Sequence, residues 1–530
     1  MSRFLIRSTT IVDGTGGPRH VGHVAVADGY FVDPGSLAPE DCDQVIDGRG
    51  LVCTPGFIDT HSHSDIQVLL DPTVPAKVRQ GITTEILGQD GVAAAPLPAA
   101  LTEDWRSYLS GIDGDAPGLD WGWGNTAGYL ERIERGRGCA FNVAVLAPHG
   151  NVRMQVMGLA DRPATAPEID AMCRVLEEEL AAGAIGLSSG LIYVPCAFSH
   201  LEELEALCRV AAAHGKPFVV HQRSEADDII ASMEEILGLA RRTGVRVHFS
   251  HFKVCGLANR RLVPQMAALL DQAEQEGLQV SFDQYPYAVG STTLNALIPP
   301  WAQSGGGEAL LDRLAHRDIR DRITRDIRRG IPGWDNFMDF AGPDHIRVTS
   351  VQTGANQWVI GHTLSEIARE RGESVYDAVY DLLTEEHQAV SICTEFGAEE
   401  DVAFFLRRPE QNVCTDGLFG GRPHPRVYGS FVRVLEKYVR QEGVLTLEEA
   451  VHKMAGRPAA LFGFTDRGTI RPGMRADLLL FDAGTIADHA TFVEPRQYPT
   501  GFAGIWVNGE QVFDGEKTLP NCPGMILRQF

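Results

Sequence analysis

Five strand-like stretches of this chain end in histidine or aspartate, and that pattern limits the fold more than any other feature. In the first, Leu51-Val52-Cys53 and Gly56-Phe57-Ile58 lead through Asp59-Thr60 to His61 and His63. Side chains at i and i+2 on a strand share a face, so two imidazoles there form half of a transition-metal site. Asp90 follows the run 82–89, His221 ends 217–220, His251 ends 245–250 and Asp416 ends 412–415. A parallel β/α barrel gathers reactive groups at the C-terminal ends of its strands, which makes these five places one candidate metal site.

The text between them supports such a barrel. From about residue 54 to 465, strand-like runs at 82–87, 142–146, 184–187, 217–220, 245–249 and 278–282 alternate with helix-like stretches. Thr165-Ala166-Pro167-Glu168 has capping-box spacing and opens a helix to about Ala182, with Gly183 as its stop. A second helix is expected from Leu201 to His214, closed by Gly215. This alternation predicts an α/β fold, a (β/α)8 TIM-type barrel. Both ends of the chain instead read as short strands, and Asn508-Gly509 between apolar runs signals a hairpin. Residues 1–53 and 466–530 are expected to form one small β-sandwich, with the catalytic barrel at 54–465 between them. Pro299-Pro300-Trp301, Gly305-Gly306-Gly307 and an arginine-rich run break the rhythm, so 287–345 is expected to be an inserted lobe near the site.

A 530-residue chain suits a large barrel with an accessory domain. Its net charge of −23 opposes nucleic-acid binding. MSRFLIRSTT turns polar after three apolar residues, so no secretory signal is expected. No apolar stretch approaches the roughly 18 residues that span a bilayer, and no membrane association is expected. The ten cysteines are scattered without a C-x-x-C and read as reduced thiols of a cytoplasmic protein.

Histidine with carboxylate and no obligatory thiolate suits zinc, and also manganese or iron, with zinc the default for hydrolysis. A bound metal activates water and polarises a carbonyl. A carboxylate beside that water can pass its proton to the leaving group, and Asp416 is the choice for this shuttle.

The chain resembles the amidohydrolase superfamily, and within it the N-acyl-D-amino acid deacylase (D-aminoacylase) family. The resemblance runs through PGFIDTHSHSD, APHGNVR, GAIGLSSGLIYVPC, HQRSE, SHFK, DQYPYAVGSTTL, LIPPW, CTDG, HPRVYGSF, DRGTIRPGMRADLLLFD and GIWVNG. It implies a metal-binding barrel with a sandwich and an inserted lobe. It implies His61 and His63 at one metal position, His221 and His251 at the other, and Asp416 as ligand and general base. Lys253, Arg223, Tyr193 and Tyr285 would then bind the substrate carboxylate or acyl oxygen. The family usually has Asn-Cys after the second-strand glycine, and that cysteine binds metal; this chain has Gly88-Gln89-Asp90-Gly91. Asp90 can ligate as a harder donor and can bridge two ions, so one or two zinc ions or another divalent metal remain open. Ser188 and Ser189 stand in the fourth-strand run, which leaves no carboxylated-lysine candidate there.

The expected activity is hydrolysis of small-molecule N-acyl-D-amino acids to a carboxylate and a free D-amino acid. A cyclic amide, an N-carbamoyl amino acid or a specialised amide is the alternative substrate. A catalytically silent scaffold is the alternative from another class, although such a chain would be expected to lose ligands. Homo-oligomerisation is left open.

Overall fold

The computed structural model describes residues 3–114, 116 and 118–528. Eight parallel strands build a TIM-type barrel. In chain order they are Phe57–Asp59, Ile82–Leu87, Asn142–Val145 continued by Ala147–Pro148, Leu187–Gly190, Pro217–His221, Arg246–Phe249, Val280–Gln284 and Gln411–Val413. Registered pairing runs from the first of these to Asn142–Val145 and from Ala147–Pro148 to the eighth. Within the third strand, the Leu146 N–H donates to Leu87 O and the Ala147 N–H to Gly186 O, which joins the two arcs. The first and eighth strands close the circle through Asp416 N–H to His61 O at 2.9 Å and Thr415 N–H to Asp59 Oδ1 at 2.9 Å.

The strands are almost wholly buried because both faces are covered, the inner by opposing strands and the outer by helices. Pro217–His221, for example, is buried at every position. The helices Ala166–Ala181, Leu201–Ala213, Ile229–Thr243 and Val263–Gln275 separate successive strands. In Ile229–Thr243, buried Ile229, Met233, Ile236, Leu237 and Ala240 fall on one helical face, which packs on the barrel. The helix after Thr165 carries the full capping box with Glu168. The fourth strand lies three residues later than the apolar run 184–187 suggests. Its ladder begins at Leu187 and includes Ser188 and Ser189, whose hydroxyls bond Gly88 O and His149 Nδ1. Polar residues sit in a buried strand here because each finds a partner.

Both ends of the chain meet in one eight-stranded sheet. Val52–Pro55 pairs parallel with Arg3–Ile11 and antiparallel with Leu478–Phe481. Phe4 and Trp506 stack at 5.4 Å within its core. Phe502–Val507 and Glu510–Phe513 turn at Asn508 and Gly509, with φ of 48° and 79°. Left-handed values at both central positions are what a type I′ hairpin requires.

Between the seventh and eighth barrel strands, Val289–Thr293, Ile346–Ser350 and Ser391–Glu395 form a separate antiparallel sheet. Helices Gly307–Leu314, Arg317–Arg329, Leu364–Arg371 and Val375–Glu385 pack with it. This inserted layer therefore extends to Glu395, well past residue 345. The proline and glycine signals mark where the chain leaves the barrel. Its return depends on strand pairing between distant segments.

Candidate active site

The first strand places His61 and His63 over a buried ionic floor. Lys77 Nζ lies 2.8 Å from both Asp59 Oδ2 and Glu85 Oε1, and donates to Ser62 and Thr415 hydroxyls at 2.8 and 2.7 Å. Asp59 also accepts the Thr415 N–H, so this floor fixes the segment carrying Asp416. Asp283 is a second clamp. It accepts from Thr60 Oγ1 at 2.8 Å and from the His251 N–H at 2.5 Å, tying the first and sixth strand ends together.

Three other ligand-type residues lie just beyond their strands in left-handed backbone: Asp90 at φ 55°, His251 at φ 35° and Asp416 at φ 48°. Each turn swings its side chain back across the barrel mouth. Such conformations in non-glycine residues cluster at functional sites.

The structure brings His61, His63, Asp90, His221, His251 and Asp416 together. The Nε2 atoms of His61 and His63 are 3.3 Å apart. Asp416 Oδ1 is 3.7 and 3.4 Å from them. Asp90 Oδ2 is 3.5 Å from His61, 3.6 Å from His63 and 4.0 Å from His221, while its Oδ1 is 3.6 Å from His251. All six are at least 95 % buried. Three overlapping clusters have ligand spacing: His61 with Asp90 and His251, His61 with His63 and Asp416, and His221 with Glu225 and His251.

The donor set fits a divalent cation. Both His221 nitrogens, His61 Nδ1 and Asp90 Oδ1 are buried without hydrogen-bond partners. Leaving such groups unsatisfied is costly, and a cation satisfies them. Asp90 faces imidazoles of more than one cluster, the position a bridging carboxylate needs.

The electrostatics agree. Burial drives the His221 imidazole down to about 4, which keeps it in the neutral form that binds metal. Burial also opposes charge on His63, but hydrogen bonds to Asp416 and Asp90 lift it to about 10. Metal binding must therefore displace a proton from His63. Burial opposes ionisation of Asp416, yet the Arg426 guanidinium, with His63, His251 and His61, holds it well below the carboxylate range.

The substrate-contact residues expected from sequence divide. Lys253, Tyr193 and Tyr285 line the pocket above the cluster. Lys253 Nζ is 2.7 Å from Glu225 Oε2. The Tyr193 hydroxyl and Thr292 Oγ1 are 2.9 Å apart. Arg223 does not join them. Its guanidinium pairs with Glu235 at 3.1 Å on the outer helix Ile229–Thr243, and it is absent from the pocket wall. The Glu235 carboxylate, on the helix that follows, holds the Arg223 guanidinium away from the mouth.

Two residues stand out only in the structure. Glu225, four positions after His221, bonds His251 Nδ1 at 3.1 Å and Lys253; burial raises its carboxyl, but Lys253, His221 and His251 bring it to about 2. Arg426 is fully buried, with Nη1 2.7 Å from Asp416 Oδ2 and its guanidinium 4.5 Å from the Tyr285 ring centre. The HQRSE and HPRVYGSF motifs contain both residues, but neither motif shows which carboxylate meets which cation.

A family model described as "Amidohydrolase family" matches residues 44–315 and 416–513. This chain belongs to the amidohydrolase family. The unmatched stretch between those segments covers most of the inserted layer. The chain is 34% identical to D-aminoacylase of Alcaligenes xylosoxydans xylosoxydans over 99% of its own length and 97% of the relative's. It is 33% identical to N-acyl-D-aspartate deacylase of the same organism, over 99% and 94%. The crystal structure of N-acyl-D-glutamate deacylase from Bordetella bronchiseptica, complexed with zinc and a phosphonate mimic of the tetrahedral intermediate, superposes with a TM-score of 0.83 at 33% identity, covering both chains completely. Within the family, the chain falls in the branch of D-aminoacylase and the N-acyl-D-amino acid deacylases.

Proposed function

We propose that this protein is a zinc-dependent deacylase that hydrolyses the amide of N-acyl-D-amino acids to a carboxylate and a free D-amino acid. The observation that carries the reading is the convergence of six buried histidine and aspartate side chains at the barrel mouth, several of their atoms unpartnered. His61, His63, Asp90, His221, His251 and Asp416 would hold one or two divalent ions. Metal bound there supplies Lewis acidity, which makes water nucleophilic near neutral pH and polarises the scissile carbonyl.

Asp416 takes a proton from the attacking water and returns it to the leaving nitrogen. The C–O bond forms, the C–N bond breaks, and the amine leaves neutral. Arg426 holds one Asp416 oxygen, so the other stays directed at the histidines. Lys253, with Tyr285 beside it, meets the substrate α-carboxylate; Tyr193 forms wall near His221, with ring centres 5.2 Å apart. In this reading residues 54–465 carry the chemistry, while 1–53 and 466–530 support it. A cytoplasmic location fits the ten free cysteines. No helix among the described residues is long and apolar enough to cross a membrane.

The test is amine release by zinc-loaded protein from N-acetyl-D- and N-acetyl-L-amino acids. Turnover confined to D-substrates and lost in Asp416→Asn is expected. Asp90 in the cysteine position motivates a second reading, an amidohydrolase acting on a cyclic or N-carbamoyl amide. Turnover of those compounds, with none of any N-acyl-D-amino acid, would replace the first reading.

A further inference from the structure

We infer that the amino acid released carries an apolar side chain and that the enzyme rejects N-acyl-D-aspartate and N-acyl-D-glutamate. This rests on the deacylase reading and adds the side-chain class to it. Beyond the ligand cluster, Ile112, Ile192, Phe337, Phe340, Phe396 and Leu418 give the pocket wall its apolar part, and Tyr193, Tyr285, Ser291, Thr292 and Thr394 are its neutral polar part. Among the described residues that line it, Lys253 is the one lysine or arginine. In the deacylase reading that ammonium, 2.7 Å from Glu225, meets the α-carboxylate and is not spare for a second one. Arg426 does not line the pocket; its guanidinium stacks on Tyr285 at 4.5 Å, pairs with Asp416 and donates to Ser291 O at 2.9 Å. A second substrate carboxylate would therefore sit beside Asp90, Glu225 and Asp416, among aromatic, aliphatic and neutral hydroxyl groups, with no second lysine or arginine on the wall to meet it. Burying such a charge unpaired is strongly unfavourable.

The inserted layer supplies the decisive part of this wall. Phe337 and Phe340, on the short helix Phe337–Phe340, have ring centres 4.8 Å apart. Asp335, just before that helix, accepts from Ser224 Oγ at 2.6 Å and from the Glu225 N–H at 2.7 Å. These bonds tie the aromatic pair to the loop that carries Glu225. On the other side, Gly256 at φ 92° lets the helix approach so closely that a Cβ there would lie 3.1 Å from Phe340 Cβ. The aromatic wall is thus fixed to the barrel at two points. It faces substrate as a built surface.

The experiment compares kcat/KM of zinc-loaded protein for the N-acetyl derivatives of D-leucine, D-methionine, D-phenylalanine, D-aspartate and D-glutamate. The apolar substrates are expected to lead the acidic ones by about a hundredfold or more. Calorimetric binding of the matching phosphonate analogues should give the same order without turnover. Phe340→Arg and, separately, Phe337→Arg supply a cation at the wall. Either one, if folded by circular dichroism, is expected to shift the glutamate-to-leucine ratio at least tenfold towards glutamate. Acidic substrates equal to or better than apolar ones would overturn the side-chain inference and leave the deacylase reading standing. No turnover of any N-acetyl-D-amino acid would remove both.

Discussion

Arg426 offers the sharpest test of how this site is charged. Its side chain is completely buried, and Nη1 sits 2.7 Å from Asp416 Oδ2. Arg426→Met keeps most of the volume and deletes the charge. At that separation the pair attraction is about 6 kcal/mol for an effective dielectric of 20, before desolvation is subtracted. Removing one member of a buried pair typically costs about 3–5 kcal/mol, because the survivor stays buried and uncompensated. Asp416 has a depressed carboxyl in the folded protein, so its stabilisation is present in full above the unfolded pKa, near 4, and fades as pH falls through the folded value. The variant should therefore lose about 3–5 kcal/mol in urea at pH 7 without metal, and the deficit should shrink at acid pH. In the zinc-loaded variant, the acid limb of the kcat–pH profile should move up by about one to three units, since the largest influence favouring the carboxylate is gone. An unchanged acid limb with unchanged urea stability would refute the claim that Arg426 governs Asp416.

Other perturbations probe the support around the site. Lys77→Met leaves Asp59 and Glu85 buried without their cation, and urea denaturation at pH 7 should report a loss of about 3–5 kcal/mol; a loss below about 1 kcal/mol would contradict the ionic floor. Burial, with Arg457 nearby, lowers the Lys453 ammonium to about 7, while the unfolded chain holds its proton to about 10.4. The unfolded state thus binds the extra proton between those values, and stability should rise with pH across the window by up to about 1.4 kcal/mol per unit, a slope that Lys453→Met should abolish in urea titrations at pH 6.5 to 9.5. Asp90→Cys replaces a hard donor by a thiolate and should tighten zinc, read as a slower loss of metal to a chelator; equal or faster loss would show that Asp90 does not contact the ion. Stripping metal from the native protein should lower its melting temperature, since zinc at a thousand times its Kd contributes about 4 kcal/mol to the folded state.

The ligand residues could be read from sequence because each follows a strand-like run, and a barrel turns that local fact into a common destination. The pairings among charged groups could not. Asp416 and Arg426 are ten residues apart, and only the turn between strand and helix Arg426–Arg433 makes them meet. Glu225 stands in a quoted motif, yet its partners His251 and Lys253 come from the next strand end. Arg223 stands in the same motif, yet its partner Glu235 lies on the following helix and not at the barrel mouth. The inserted layer escaped for a related reason: Ile346–Ser350 and Ser391–Glu395 have the apolar content of barrel strands, and only their hydrogen bonds to each other and to Val289–Thr293 remove them from the barrel.

The backbone at the ligands shows why the site needs so large a scaffold. Ladder pairing ends at Leu87, Phe249 and Val413, and Asp90, His251 and Asp416 lie two or three residues farther on, each with positive φ. A straight continuation of each strand would carry these side chains up and out of the mouth; the left-handed turn sends them inward. Each such residue costs about 1–3 kcal/mol. The bonds that hold these turns come from other strands: Asp283 holds the His251 N–H, the His61 carbonyl holds the Asp416 N–H, and Ser188 Oγ accepts from the Gly91 N–H beside Asp90. The ring of strands thus serves chiefly to aim side chains. Three of the six ligands are locally strained, their restraints are delivered by distant segments, and the closed barrel brings all of those segments to one rim.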